Sequence, residues 1–334
     1  MATKDTTDTD PDCLIKVDKY TIFPSKAWEH IQVKSKYEYI KPDERLDPST
    51  PVKPDSVRVV CISDTHSKVE MKDPEMIPHG DILLHAGDFT MKGEPNAVNT
   101  FNKFLGQLPH KHKIVIAGNH DISFDDFIMS KTSLDPMLGS MQKYRDQMKS
   151  LGVKCVRDLM TNCIYLEDAM VSLYGINIYG SPWQPTYASG RWGFNLCRGE
   201  PLLQKWKHIP TNTDILITHG PPVGYGDEAK GGNHVGCVEL LNVVQKLVKP
   251  KYHVFGHIHE GYGMSTDGCT TFINAATCTT RYRPVNPAIV FDFPLPNGHT
   301  KDEDPIMHPK VPMDLTSAGR YKDMSAVGSR LKLD

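Results

Sequence analysis

The sequence predicts an α/β protein. Short apolar, β-branched runs recur along the middle of the chain, and between them apolar residues fall at the three-to-four-residue spacing of amphipathic helices. The runs are largely uninterrupted rather than alternating, as expected of strands in sheets covered on both faces.

Taken in order, residues 1–55 read as a polar lead-in. They hold one alternating stretch, Cys13 to Tyr20 (CLIKVDKY), which predicts a short strand, and then KPDERLDPSTPVKPD, whose prolines and charges predict loose chain. A domain is expected over residues 56–294. Its strands are predicted at VRVVCI, DILLHA, KIVIAG, GINIYG, DILITH, YHVF, TTFINA and AIVFD. One helix is predicted through Val98, Phe101, Leu105 and Leu108, and another through Cys237, Leu240, Leu241, Val244, Leu247 and Val248. No repeat with a period of about 20 to 50 residues is present. Residues 295–334 lose the strand signal and read as a mobile C-terminal tail with at most one short docked segment.

The chain has 334 residues, 39% of them hydrophobic, which suffices for a substantial core. A net charge of -2 gives no bulk attraction to nucleic acid or to an anionic membrane, and no long basic run supplies a local one. No run of about 18 apolar residues occurs. The N-terminus, MATKDTTDTDPD, has neither a positive n-region nor an apolar h-region, so a cytoplasmic location is expected. The eight cysteines form no CxxC pair and no dense framework, which fits reduced thiols in that compartment.

The functional signal lies just after the strands. VRVVCIS is followed by Asp64 and His66, DILLHAG by Asp88, KIVIAG by Asn119, His120 and Asp121, DILIT by His219, and YHVFG by His257 and His259. Ligand sites in α/β sheets sit outside the carboxyl ends of strands, so these segments should meet in one crevice. In extended chain, residues i and i+2 point to the same side, so His257 and His259 can face one object, and Gly256 and Gly261 let backbone come close to it. Singly, Asp64 or Asp88 reads equally well as a cap or turn residue, and His219 as a structural histidine. Repetition after five strands is what points to metal.

The ordered motifs DTH (64 to 66), GD (87 to 88), GNHD (118 to 121), THG (218 to 220) and GHIH (256 to 259) resemble those of the calcineurin-like metallophosphoesterases. CISDTHS, GDILLHAGDFT, KIVIAGNH, DILITHGPP and HVFGHIHEGYG are closer still to one branch, the metallophosphoesterase domain-containing proteins, related to class III cyclic nucleotide phosphodiesterases. The resemblance covers roughly Val57 to Phe293. It implies a four-layer sandwich, two β-sheets flanked by α-helices, with metals at the carboxyl ends of strands. It also implies that Asp64, His66 and His259 hold a first ion, Asn119, His219 and His257 a second, and that Asp88 bridges them. His120 then stabilises or protonates the leaving oxygen. Serine/threonine phosphatases of the superfamily extend GD into GDxxDRG; GDFTMKG lacks that pair. Some members of the branch replace the first histidine of GHxH by glycine, whereas this chain keeps His257.

The chemistry explains the residue types. Two divalent ions roughly 3.5 to 4 Å apart acidify a water between them and neutralise charge on phosphoryl oxygens. Only a carboxylate at position 88 offers two anionic oxygens to two cations. The donors are nitrogen and oxygen without thiolate, which fits Mn, Fe, Zn or Mg rather than a closed structural zinc site, with Mn favoured by the resemblance. Asp121 reads either as an orienter of His120 or as a surface or cap residue, and His85 as a residue supporting the ligands from behind or a core residue rather than a ligand. In GSPWQPTYASGRWGFN (Gly180 to Asn195), Trp183 and Arg191 are candidate contacts to a nucleobase and a phosphate, though the same residues suit a packed loop. Gly220 to Gly236 reads as a mobile cover or a passive loop. The resulting expectation is a dinuclear phosphoesterase that hydrolyses small phosphodiesters, such as cyclic nucleotides, by attack of a metal-bridging hydroxide. The alternatives are a phosphomonoesterase or nuclease on the same site, or a nucleotide-binding regulator with vestigial turnover.

Overall fold

All seven residues from Ser56 to Ile62 are buried, because both faces of the sheet they belong to are covered. The computed structural model describes residues 15–68, 77–130, 141–187 and 192–310. The chain first forms α1 (Pro24–Ile31), β1 (Glu38–Ile40), β2 (Ser56–Ile62), β3 (Ile82–His85), α2 (Pro95–Gln107), β4 (His112–Val115), α3 (Asp126–Met129), α4 (Met141–Ser150) and β5 (Ile164–Tyr165). Next come β6 (Ala169–Leu173), β7 (Ile176–Ser181), β8 (Gln184–Pro185), β9 (Asn195–Leu196), α5 (Glu200–Trp206) and β10 (Ile215–Thr218). The remainder is β11 (Glu228–Ala229), β12 (Asn233–His234), α6 (Val238–Val243), β13 (Tyr252–Phe255), β14 (Gly263–Thr266), β15 (Thr271–Asn274), β16 (Ile289–Pro294) and β17 (Ile306–Met307).

Two sheets dominate. One has the order β16-β2-β3-β4-β5, and the other β1-β14-β15-β13-β10-β7-β6-β17. Strands β2 to β5 run parallel, as do β15, β13, β10 and β7. The register places Cys61 beside Leu84 and Leu84 beside Ile114. Alternate side chains then divide between two cores. Val57, Val59, Cys61, Leu84 and Ile114 share one with Val171, Ile178, Ile215, Val254 and Ile273 of the second sheet. Val60, Ile62, Leu83 and Val115 share another with Val98, Phe101 and Leu105 of α2, and Leu216 and Phe272 join Leu202 of α5 and Leu240 of α6 there. The result is the expected four-layer sandwich, with helices outside two facing sheets.

The terminal segments differ from the sequence reading. Cys13 and Leu14 lie outside the described residues, and Ile15 to Tyr20 form no strand. Asp18 takes this stretch into a turn instead: its carboxylate accepts from Tyr20 N at 2.7 Å and its carbonyl from Thr21 N at 3.1 Å, bonds that compete with strand pairing. The strand of this region is β1, antiparallel to β14. At the other end, β17 pairs with β6, Lys301 meets Asp81 at 2.8 Å and Lys310 meets Glu167 at 3.1 Å. Residues 295–310 are thus docked by backbone bonds and ion pairs, a longer stretch than the one short docked segment the sequence reading allowed, and the Ile306 and Met307 side chains are exposed. The part of the predicted tail at 311–334 lies outside the described residues. Among the described residues no helix is long and apolar enough to cross a membrane.

Candidate metal centre

Strands β2, β3 and β4 of one sheet and β10 and β13 of the other deliver their carboxyl ends to the same crevice. A bridge between Ser63 and Ala276 joins the two sheets there, with Thr277 N donating to Ser63 O at 2.7 Å. Beyond the last paired residue, the loops lock onto one another. Asp64 N donates to Gly87 O and His66 N to Asp88 O, both at 2.9 Å. His120 N donates to Asp88 Oδ1 at 2.7 Å, and His257 N to Asp64 Oδ2 at 3.0 Å. These loops impose an unusual backbone: Asp64, His66, Asp88 and His257 have φ of 51°, 44°, 55° and 67°. Four non-glycine residues in the left-handed region, all among the seven predicted ligands, mark strain concentrated at a functional site.

Two glycines show why GH and GN require glycine. A Cβ on Gly256 would lie 1.9 Å from Asp64 Oδ2, and one on Gly118 would lie 2.3 Å from Asp88 Oδ1. Both carboxylates are seated directly against glycine backbone.

The predicted ligands assemble into groups of convergent donors. Asp64, His66 and His259 form one and Asp88, His219 and His257 a second, while His66 and Asp88 form a third with His120 that shares a residue with each of the others. In the first, His66 Nε2 is 3.1 Å from His259 Nε2, and Asp64 Oδ1 is 3.3 Å from His259 Nε2. In the second, His219 Nε2 is 2.9 Å from Asn119 Oδ1 and 3.4 Å from Asp88 Oδ2. Asp88 Oδ2 also lies 3.9 Å from His66 Nε2, so one carboxylate reaches both groups. The far nitrogens are tied: His219 Nδ1 donates to Ala86 O and His259 Nδ1 to Thr279 O, each at 2.9 Å, which turns Nε2 inward.

The electrostatics test whether metal fits. Asp64 and Asp88 are buried, which alone would raise their carboxyls, yet His259 and His219 beside them hold both below the usual carboxylate range. Burial opposes the charge on His219 and His259, but Asp88 and Asp64 push each up to about 9. Burial takes His66 down to about 4 and His257 down to about 3. Neither carboxylate meets a lysine or arginine among the described residues. Compensation therefore falls to protons on two imidazoles whose nitrogens converge with carboxylate oxygens, the donor set of divalent cations. The residues fit a dinuclear site.

His120 stands at the edge of the centre, grouped with His66 and Asp88. Its Nδ1 donates to Met91 O at 2.7 Å, which leaves Nε2 facing the centre 4.0 Å from Asp88 Oδ2, and Trp192 lies against its ring at 4.2 Å. Asp121 does not orient His120. It is buried and accepts from Thr90 N, Thr90 Oγ1 and Gly118 N at 2.9, 2.7 and 2.9 Å, so it fixes the loop on which Asn119 and His120 sit. Burial and the nearby Asp88 push its carboxyl up to about 7. His85 is a core residue bonded to Thr65 Oγ1 at 3.0 Å.

A cleft of about 450 Å³ opens over the centre. Asp88, Asn119, His120, His257 and His259 form its floor, with Tyr187, Tyr282, Pro185, Ile258 and Arg198 around them. The Tyr282 ring stands edge-on to His66 at 4.8 Å. Nothing in the sequence singled out Tyr282 or Arg198, since neither adjoins a motif. Of the two candidate substrate contacts, Arg191 lies outside the described residues. Trp183 is corrected: it is 2% exposed, and its Nε1 donates at 3.0 Å to Asp168, which also holds Lys205 Nζ at 2.7 Å. An aromatic whose polar edge meets a buried carboxylate belongs to the core. The Gly220 to Gly236 segment walls the cleft and is internally tied, with Asp227 accepting from Gly224 N at 2.9 Å and Gly236 N at 2.8 Å.

The calcineurin-like phosphoesterase family model matches residues 57–261. The chain is 48% identical over 291 residues to metallophosphoesterase domain-containing protein 1 of Homo sapiens, an alignment that covers 85% of this chain and 86% of that protein. It is 47% identical over 291 residues to UPF0046 protein T07D4.2 of Caenorhabditis elegans, covering 86% and 72%. A solved metallophosphoesterase from Sphaerobacter thermophilus aligns at 13% identity with a TM-score of 0.32, covering 71% of this chain and 84% of that one.

Proposed function

The chain belongs to the calcineurin-like phosphoesterase family of metal-dependent hydrolases, and from that premise we propose that it cleaves small phosphodiesters, cyclic nucleotides among them. The observation that carries the proposal is Asp88 Oδ2, 3.4 Å from His219 Nε2 on one side and 3.9 Å from His66 Nε2 on the other. In this reading Asp64, His66 and His259 would hold one cation, Asn119, His219 and His257 would hold the other, and Asp88 would contribute to both. Manganese is the proposed metal. When bound, two such ions supply an acidified water nucleophile and neutralise charge on the phosphoryl group.

The chain's own residues supply the rest. The Met91 carbonyl fixes the His120 ring so that Nε2 faces the cleft, where its proton can pass to the leaving oxygen. A cleft of about 450 Å³ suits a substrate the size of a nucleotide, and Tyr187 and Tyr282 line it. A cytoplasmic location fits the seven described cysteines, all free.

The test uses metal-stripped protein, wild type beside Asp88→Asn, with Mn, Zn, Mg or Fe returned and a chromogenic diester and monoester as substrates. Metal-dependent diester cleavage in the wild type alone is the expected result, and it justifies a cyclic-nucleotide panel. Preference for the monoester would move the assignment to a phosphomonoesterase. Absence of turnover in every metal, with the ions bound, would leave a nucleotide-binding regulator.

A further inference from the structure

The wall of the cleft holds a tyrosine that no motif contains. Tyr187 Oη accepts a hydrogen bond from Asn119 Nδ2 at 3.0 Å, and its ring stands edge-on to His257 at 5.1 Å and 70°. Both neighbours belong to the group assigned to the second cation; Tyr187 has no such contact with Asp64, His66 or His259.

Asn119 is fully buried, and its amide has two chemically different ends. Oδ1 lies 2.9 Å from His219 Nε2, on the side where the cation would sit. Nδ2 points the other way, where Tyr187 Oη is its partner. An amide oxygen is a metal ligand and an amide N–H is not, so the orientation decides whether Asn119 can bind. A buried N–H left without a partner is costly, and in the observed orientation the hydroxyl accepts from it while Oδ1 stays beside His219 Nε2.

We propose that Tyr187 is a positioning residue for the second cation: its hydroxyl holds the Asn119 amide with the oxygen turned toward the ion, and its ring braces His257. The inference rests on the two-cation reading of the site given above.

Tyr187→Phe keeps the ring and removes only the hydroxyl. Metal-free wild type and variant are titrated with Mn(II), with free ion followed by electron paramagnetic resonance, and melted in parallel. The expected result is a second-ion affinity weakened about 10- to 100-fold, the usual effect of losing a group that orients a ligand, with the first-ion affinity unchanged and the metal-free melting temperature at most slightly lowered by the unpaired Asn119 N–H. A general packing role would weaken both sites together, and that result overturns the proposal. Two wild-type affinities in Tyr187→Phe overturn it as well. If the wild type itself takes up fewer than two ions, the two-cation reading fails, and the inference with it.

Discussion

Gly256→Ala tests the claim that the carboxylate of Asp64 is seated against bare backbone. The added methyl would lie 1.9 Å from Asp64 Oδ2, 2.2 Å from Ser63 Oγ and 2.8 Å from Ser63 Cβ. Carbon and oxygen need about 3.3 Å, so a displacement of roughly 1.4 Å is required. The carboxylate cannot simply swing away, because His257 N donates to both its oxygens and His259 Nε2 is 3.3 Å from one of them. Overpacking of this kind costs about 1–3 kcal/mol, and a shift of 1 Å at a reacting centre costs on the order of 100-fold in rate. Gly256→Ala should therefore retain its fold with a lowered melting temperature, lose affinity at the Asp64 site, and lose at least that factor in diester turnover. Calorimetric titration with Mn(II) and a thermal melt provide the readings. Wild-type affinity at both sites with an unchanged melting temperature would refute the reasoning.

His120→Ala should keep both ions by metal analysis while kcat drops by about 10²- to 10⁴-fold, because His120 faces the centre without completing either ligand set; an emptied site would show instead that it is a ligand. Trp183→Phe removes a donor to buried Asp168, so urea denaturation should show a loss of about 1–3 kcal/mol with KM unchanged, and a raised KM without that loss would return Trp183 to the substrate site. His253 is buried, and burial pulls it down to about 3 from its ordinary 6.5. The folded chain therefore binds fewer protons there than the unfolded chain between those values, and stability falls as pH drops through that window. His253→Gln should make the pH slope of stability shallower by about 1.4 kcal/mol per pH unit between pH 6.5 and 4, and an unaltered slope would mean that the imidazole is already charged in the fold.

Eight strands were legible because each is largely a continuous apolar run buried on both faces, whereas β6 and β14, which lack such a run, were not predicted, and the centre was legible because every ligand falls just beyond a strand end. The sequence did not reveal what holds the centre in place. Asp121 carries a motif position, but whether it bonds to His120 or to Thr90 depends on a loop that folds back from β3, and no spacing reports that. Tyr282 and Arg198 reach the cleft from segments with no periodic signal. Trp183 misled for a related reason: an aromatic beside glycine and proline looks like a binding loop, and only the distant Asp168 and Lys205 identify it as core. At the chain ends, β1 and β17 are attached by backbone bonds at sheet edges, an interaction that leaves little trace in composition.

The two sheets contribute to every proposed ion site: Asp64 and His66 come from one and His259 from the other, and Asn119 comes from one while His219 and His257 come from the other. Each ion would thus act as a rivet through facing plates, pinning residues almost two hundred positions apart in the case of Asp64 and His259. Loading at a hundredfold excess over Kd would add about 2.7 kcal/mol per site to the folded state. Chelation, on this view, does more than silence a catalyst: it releases a clamp on the seam of the sandwich, so metal supply would govern the protein's lifetime as well as its rate.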